Sequence, residues 1–270
     1  MNKVAAIQMC STSNLEENLT TAATLIAQAS AQGAELAVLP EMFVLLGCDS
    51  AEKVKIKETA GAGKIQDFLS TLAIQHDIWI VAGTIPIACQ HPNKVRAASI
   101  VFDNHGHQVA RYDKRYLFDV TLSESEVYRE SDTTEAGEDV VVVETPVGKL
   151  GLAVCFDLRF PEHFTQLSAQ GAEIITVPSA FTVKTGEAHW ALLARCRAID
   201  TFCYVVGACQ GGTHINGRKT YGHTMIVGPW GDVMDEAPNL NPSVIYANID
   251  LEKLYEIRNQ IPVISSEHSI

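Results

Sequence analysis

Short apolar runs that read as buried strands alternate along this chain with longer segments whose apolar residues recur every third or fourth position, the period of a helix with one buried face. The runs KVAAIQM (residues 3–9) and KLGLAVCFD (149–157) each precede such a segment. Helices are predicted over 15–32, 63–76, 161–170 and 188–201. In the first, Leu15, Leu19, Ala22, Ile26 and Ala29 share a face, and Ser13 with Glu16 has the form of a capping box. In the third, Pro161 takes an early helical position, where its missing N–H is no loss.

The pattern also repeats. AQGAELAVLPEMF (31–43) returns as AQGAEIITVPSAF (169–181): a helix end, a glycine stop, a buried strand, a proline and an aromatic, with Glu41 in the first copy where the second has Ser179. IWIVAGT (78–84) resembles CYVVGAC (203–209), and ASIVFDNHG (98–106) resembles HTMIVGPWG (223–231), each of this last pair a strand entering a hairpin turn. One match is explained by a chance helix stop before an ordinary strand; three further matches in the same order make an internal duplication the better account. Each half then reads β-α-β-α-β-β. Two sheets with helices on one face bury their bare faces against each other, so the expected fold is α/β, a four-layer α-β-β-α sandwich with an internal pseudo-twofold, formed by one domain over residues 1–270.

Composition narrows the function. With 270 residues, 47% hydrophobic and 19% charged, the chain can bury a large core without disulfides. A net charge of −12, with no basic run to offset it, argues against a nucleic-acid partner. The first residues lack a signal-peptide apolar region and no later run reaches membrane-spanning length, so a soluble cytoplasmic protein with no membrane partner is expected. Seven cysteines lack zinc or C-x-x-C spacing. Cys10, Cys48, Cys89, Cys196, Cys203 and Cys209 read as small hydrophobes. Cys155 differs.

Residues at strand ends in α/β sheets face the crevice where ligands bind. Glu41 follows the strand LAVLP and Cys155 follows LGLAV. A carboxylate there is costly without partners, and since serine suits the same backbone in the second copy, Glu41 is not required by the fold. In RYDKRYLFD (111–119), after a hairpin turning at Asn104, His105 and Gly106, Lys114 stands among Tyr112, Tyr116, Leu117 and Phe118. Taken alone it reads as a surface lysine whose stem covers the aromatics.

Together, LPEMF, RYDKRYLFD and GLAVCFDLRFPE resemble the Glu-Lys-Cys triad of the nitrilase superfamily of carbon–nitrogen hydrolases. GEAHWALLARCRAID (186–200), TYGHTMIVGPWGDV (220–233) and RNQIPV (258–263) extend the resemblance over essentially the whole chain. It implies a nitrilase-like sandwich that hydrolyses a non-peptide amide through a thioester, with Cys155 as nucleophile, Glu41 as proton carrier, and Lys114 with the backbone N–H of Phe156 as oxyanion donors. It also implies a second glutamate beside the lysine, Glu130 in VYRESDTTEAG, whose plain alternative is an exposed loop acid. No metal or organic cofactor is called for, and a homodimer or higher homo-oligomer is expected.

Other candidates read blandly. AGAGKI (60–65) departs from a phosphate loop at Glu58 and Ile65 and is taken as a helix-start loop. His105 and His107 are taken as solvated turn residues. There is no G-x-S-x-G elbow. His189 and Trp190 suit a pocket rim or core, and Arg159 is placed as a structural partner of Asp157 or Glu162, with a substrate carboxylate as its alternative.

RYLFDV, the AHW segment and YGHTM-PWG resemble the branch of small amidases acting on 2-oxo acid amides: deaminated-glutathione amidases, which yield 2-oxoglutarate and Cys-Gly, and omega-amidases, which yield 2-oxoglutarate and ammonia from 2-oxoglutaramate. The short loop GGTHINGRKTYGHTM favours the first. Both substrates are anions, which an acidic protein repels at long range, so local cations must recognise them. The candidates are Arg159, Lys184 and Arg195, with Phe181 beside them. The C-terminal ISSEHSI lacks the aromatic and basic pair usual there, which implies a different subunit contact. Two readings of another class stand against the enzyme: an inactive binding module on the same fold, and a redox-responsive protein in which Cys155 is only an oxidisable thiol.

Overall fold

The computed structural model of the chain describes residues 2–124 and 126–262. In chain order the first half contains β1 (Asn2–Gln8), α1 (Leu15–Ala31), β2 (Leu36–Val38), α2 (Glu52–Lys55), α3 (Lys64–His76), β3 (Trp79–Val81), β4 (Ile85–Ala88), β5 (Val95–Phe102), β6 (Gln108–Asp113), β7 (Asp119–Ser123) and β8 (Glu126–Arg129). The second contains β9 (Val142–Thr145), β10 (Gly148–Leu152), α4 (Pro161–Ala169), β11 (Ile174–Thr176), α5 (Val183–Thr201), β12 (Tyr204–Gly207), β13 (Gly211–Thr213), β14 (Lys219–Tyr221), β15 (Met225–Val227), β16 (Val233–Glu236), β17 (Ser243–Ile249) and α6 (Leu251–Gln260). Short 3₁₀ turns cover Glu130–Asp132 and Cys155–Arg159.

The sequence echoes become matching strands. One sheet runs β17-β1-β2-β3-β5-β4 with β6 on β5, and the other β16-β15-β12-β11-β10-β9, so β1-β2-β3-β5 and β10-β11-β12-β15 occupy equivalent places. In both, the first three strands are parallel and the fourth antiparallel. The second half also supplies the edge strand of each sheet beside its first parallel strand. β9 lies antiparallel to β10, and β17 lies antiparallel to β1 along its full length, from Asn2 opposite Ile249 to Gln8 opposite Ser243.

Period-two alternation divides the burial into layers. Val4, Ala6, Leu36 and Val38 enter the core shared with Leu150, Leu152 and Ile175 of the second sheet. Ala5, Ile7 and Ala37 enter the core under α1 and α3, with Leu19, Ile26, Leu69 and Leu72. Strands buried on both faces read as continuous apolar runs, and each large aliphatic side chain so enclosed contributes about 2 kcal/mol.

Two local expectations need correction. The cap of α1 is Asn14 rather than Ser13: its Oδ1 accepts from Glu16 N at 3.0 Å and Glu17 N at 3.4 Å, and its Nδ2 donates to Glu17. Helix α5 begins at Val183, not residue 188, capped by Thr182, whose Oγ1 accepts from Thr185 N at 3.3 Å. Gly186 inside it disfavours helix, yet tertiary packing demands it, since a Cβ there would lie 2.2 Å from Cγ of Tyr221. Glu58 accepts from the backbone N–H groups of Ile65 and Gln66, so the AGAGKI segment is indeed the capped start of α3. The atypical C-terminal stretch lies outside the described residues. Among these, no helix is long and apolar enough to cross a membrane.

Candidate active site

The chain leaves β2 through Leu39, Pro40 and Glu41. Leu39 N still donates to Val81 O at 2.9 Å, but proline has no N–H with which to continue the ladder. The departing backbone crosses Gly83 closely. A Cβ on Gly83, whose φ is +48°, would meet the Pro40 oxygen at 2.0 Å, so only glycine permits this path. Met42, itself at φ +56°, donates its N–H to Thr84 Oγ1 at 2.8 Å, and Gln210 Nε2 donates to Glu41 O at 3.1 Å. The Glu41 carboxylate is thereby held under the surface, 5% exposed.

Lys114 follows β6. Its backbone is fixed by N–H donation to Ala97 O (3.0 Å) and acceptance from Gly137 N (2.9 Å). The side chain is buried rather than laid over the surface, 1% exposed, and Nζ donates to Glu41 Oε1 at 2.7 Å and Glu130 Oε2 at 2.8 Å. Glu130 also accepts from Phe118 N at 2.7 Å, so it is no exposed loop acid. Burial disfavours the Lys114 ammonium, but the charges of Glu130 and Glu41 outweigh it and hold its pKa well above the ordinary lysine value. Burial likewise opposes ionisation of Glu130, and Lys114 and Lys53 overcome it and lower its pKa.

Cys155 opens the turn after β10 in the left-handed region, φ +46°, which strains a non-glycine residue. Its N–H donates to Pro178 O at 2.9 Å, and its thiol lines the same cavity as the Glu41 carboxylate. Burial first, and then the Glu41 charge, push the thiol pKa well above the ordinary value against the pull of Lys114. The resting sulfur is therefore protonated, with a carboxylate beside it. At the equivalent place in the second half, Ser179 is buried and donates to Val177 O at 3.0 Å.

Asp157 joins the walls. Oδ2 accepts from Val154 N at 2.7 Å and Tyr112 OH at 2.6 Å, and Oδ1 accepts from Tyr116 N at 3.0 Å. One carboxylate thus ties the Cys155 turn to the segment on both sides of Lys114. The sequence reading named this residue only as a possible partner of Arg159.

A cavity of about 230 Å³ opens onto these groups, lined by Glu41, Lys114, Glu130, Cys155, Phe156, Arg159 and Phe181, with Phe118 and Tyr128 closing it. Arg159 bonds neither Asp157 nor Glu162. Its guanidinium lies over the rings of Phe156 (5.7 Å) and Phe181 (5.8 Å) with Nη2 3.2 Å from His189 Nδ1, facing the cavity. Trp190 is a core residue and donates to His223 O at 2.7 Å. Two of the expected cations lie elsewhere. Exposed Lys184 donates to Leu122 O at 2.7 Å on an outer groove, and exposed Arg195 donates to Gly231 O at 2.7 Å and does not line the cavity. Lys53 and Arg218, which the sequence reading missed, line the cavity instead. Both stand in charge-rich stretches, EKVKIKE and NGRK, that look like solvated surface.

The profile of the family described as Carbon-nitrogen hydrolase matches residues 3–259. A deaminated glutathione amidase of Yersinia enterocolitica is 42% identical over 263 residues, covering 97% of this chain and 91% of that protein. The crystal structure of the C. elegans NitFhit protein superposes with a TM-score of 0.91 at 34% identity, over 99% of this chain and 65% of that one. Saccharomyces cerevisiae Nit3, a member of branch 10 of the nitrilase superfamily, superposes with a TM-score of 0.88 at 32% identity, over 99% of this chain and 96% of its own.

Proposed function

The chain belongs to the carbon–nitrogen hydrolase family, and from that premise we propose that it is a cysteine-dependent amidase cleaving deaminated glutathione to 2-oxoglutarate and Cys-Gly. The observation that carries this reading is the buried contact of Lys114 Nζ with Glu41 and Glu130 beside the Cys155 thiol.

In the proposed mechanism Glu41 takes the thiol proton as Sγ attacks the amide carbonyl carbon, since a thiol held so far above its ordinary pKa needs a base at the moment of attack. The oxyanion is met by Lys114 and by the N–H of Phe156, one of the first N–H groups of a turn, which find no acceptor within it. Glu41 returns the proton to the leaving nitrogen as the C–N bond breaks, leaving a thioester. Glu41 then deprotonates water, the hydroxide attacks the thioester, and the thiolate departs and regains its proton. Glu130 keeps Lys114 cationic and aimed. Arg159, with Phe156 and Phe181 beneath its guanidinium, is the proposed holder of the 2-oxo acid carboxylate.

The reading takes the chain as one hydrolase domain, cytoplasmic and at least dimeric. Seven unpaired thiols support a reducing compartment. Exposed Leu192 and Ile199 on α5, the latter packed against Gly231 in the turn that carries exposed Trp230 and that Arg195 binds, support a subunit contact. The test follows 2-oxoglutarate release from deaminated glutathione and from 2-oxoglutaramate. Wild type is expected to prefer the first, and Cys155→Ala to lose activity by about 10⁴-fold or more. A preference for 2-oxoglutaramate makes the protein an omega-amidase. Release from neither returns it to the inactive binding class, and unchanged turnover by Cys155→Ala removes the thioester route.

A further inference from the structure

Besides Lys114, four cations line the cavity, Lys53, Arg129, Arg159 and Arg218, in a chain with 32 acidic and 20 basic residues, yet among the described residues none of the four forms an ion pair; Arg129 is exposed and donates to Tyr128 O at 2.9 Å. Arg218, in the loop between β13 and β14, is the least satisfied. Its Nε is buried without a hydrogen-bond partner among the described residues, Nη2 reaches Ala180 O only at 3.4 Å, and the guanidinium lies 5.4 Å from the Tyr128 ring centre. Lys53 spends one donor on Thr134 Oγ1 at 2.6 Å. A buried guanidinium N–H without an acceptor is costly, and such a group in a cavity wall marks a place where an acceptor arrives with a ligand.

The position of this pair defines the ligand. Lys53 and Arg218 share a lobe of about 60 Å³, lined by Met42, Gly47 and Ser50, that Arg159 does not reach. Asp49, the carboxylate of that lobe, is exposed, turns its Oδ1 to Ala51 N at 2.8 Å, and pairs with neither cation. Lys53 also shares a wall with Glu41 and Met42. In the proposed reaction Glu41 gives its proton to the leaving nitrogen, so the amine half of the substrate lies on the Glu41 side, toward Lys53 and Arg218. Arg159, on the Cys155 turn, lies on the acyl side.

The geometry points to Arg218, assisted by Lys53, as the site that takes a carboxylate on the leaving amine, so that the preferred substrates carry an anion on each side of the scissile amide. This rests on the amidase reading above and deepens it. A dipeptide leaving group ending in a free carboxylate fits, and ammonia does not use the site. Guanidinium and carboxylate match as planar, bidentate partners, and Lys53 adds a point charge.

The test compares kcat/KM for deaminated glutathione and for the same molecule with the glycine carboxylate converted to a carboxamide, which keeps the acyl half and the scissile bond. Wild type is expected to favour the carboxylate form by about tenfold or more. Arg218→Gln brings the ratio close to one, and Arg218→Lys restores part of it. A second measurement needs no variant: Cys-Gly inhibits wild type about tenfold more tightly than Cys-glycinamide. Cleavage of both forms at equal kcat/KM with equal inhibition by the two products overturns the inference and leaves the amidase reading standing. An undiminished ratio in folded Arg218→Gln also overturns it. Cleavage of neither form overturns both.

Discussion

At the scale of single residues, Asp157 shows how the site is braced. Burial raises its pKa from the ordinary 3.8 to about 6 despite the donors around it. Between those values the folded chain binds more protons than the unfolded one, so this group's contribution to stability falls as pH rises through the window, by about 3 kcal/mol in all. His163 works the other way. Burial lowers it from 6.5 to about 4, its Nδ1 facing Arg115 and its Nε2 donating to Leu152 O at 3.1 Å, so its contribution grows as pH rises from about 4 to 6.5. The two slopes oppose each other in wild type. Asp157→Asn removes one of them and leaves an amide N–H against a donor, costing about 1–3 kcal/mol at pH 7. Urea denaturation at pH 4.5 and 6.5 is expected to show the variant gaining more stability with rising pH than wild type does; parallel profiles contradict the assignment. Glu41, Lys114 and Cys155 were legible in the sequence only as a set, through the resemblance carried by LPEMF, RYDKRYLFD and GLAVCFDLRFPE together, since Lys114 alone reads as a surface lysine. Asp157, Lys53 and Arg218 were not, because their partners come from segments far away in the chain.

At the scale of elements, Gly83 sets where the Glu41 wall runs. Gly83→Ala places a methyl group 2.0 Å from the Pro40 oxygen at φ +48°, and relief requires the β2 exit to move, carrying Glu41 away from Cys155 and Lys114. Gly33 has a similar φ of +77° with nothing within 4 Å of its Cβ position, so Gly33→Ala costs only about 1 kcal/mol of backbone strain. Thermal melts and kcat for the pair separate strain from displacement: Gly83→Ala is expected to lose kcat by about tenfold or more while Gly33→Ala keeps it. Equal kcat in the two assigns Gly83 to stability alone. The elements themselves were legible where a period was strong, as in α1, α3 and α4. The start of α5 was not, because Gly186 suits the Tyr221 ring rather than the helix, and β17 has no local signal since its partner is β1.

At the scale of the whole molecule, the duplication supplies two sheets, and the candidate site is assembled across strand ends that are not counterparts of each other: Glu41 follows β2 of one sheet, where the matching end of β11 leads to Ser179, and Cys155 follows β10 of the other. The pairing of β17 with β1 ties the halves together. Ending the chain after Pro242 removes β17 and α6 and bares the β1 edge, and such a truncation is expected to aggregate, as sedimentation of the lysate reports, with a peptide of residues 243–260 added in trans recovering soluble protein. A soluble, active truncation contradicts this role for β17.

The same pairing has a consequence for synthesis. β1 leaves the ribosome about 240 residues before its partner, an interval of about 10–50 s at ordinary elongation rates. Throughout that time the nascent first sheet presents an unpaired apolar strand. The species most in need of a chaperone is therefore the nascent chain that has not yet delivered β17, and slowing translation lengthens its exposure.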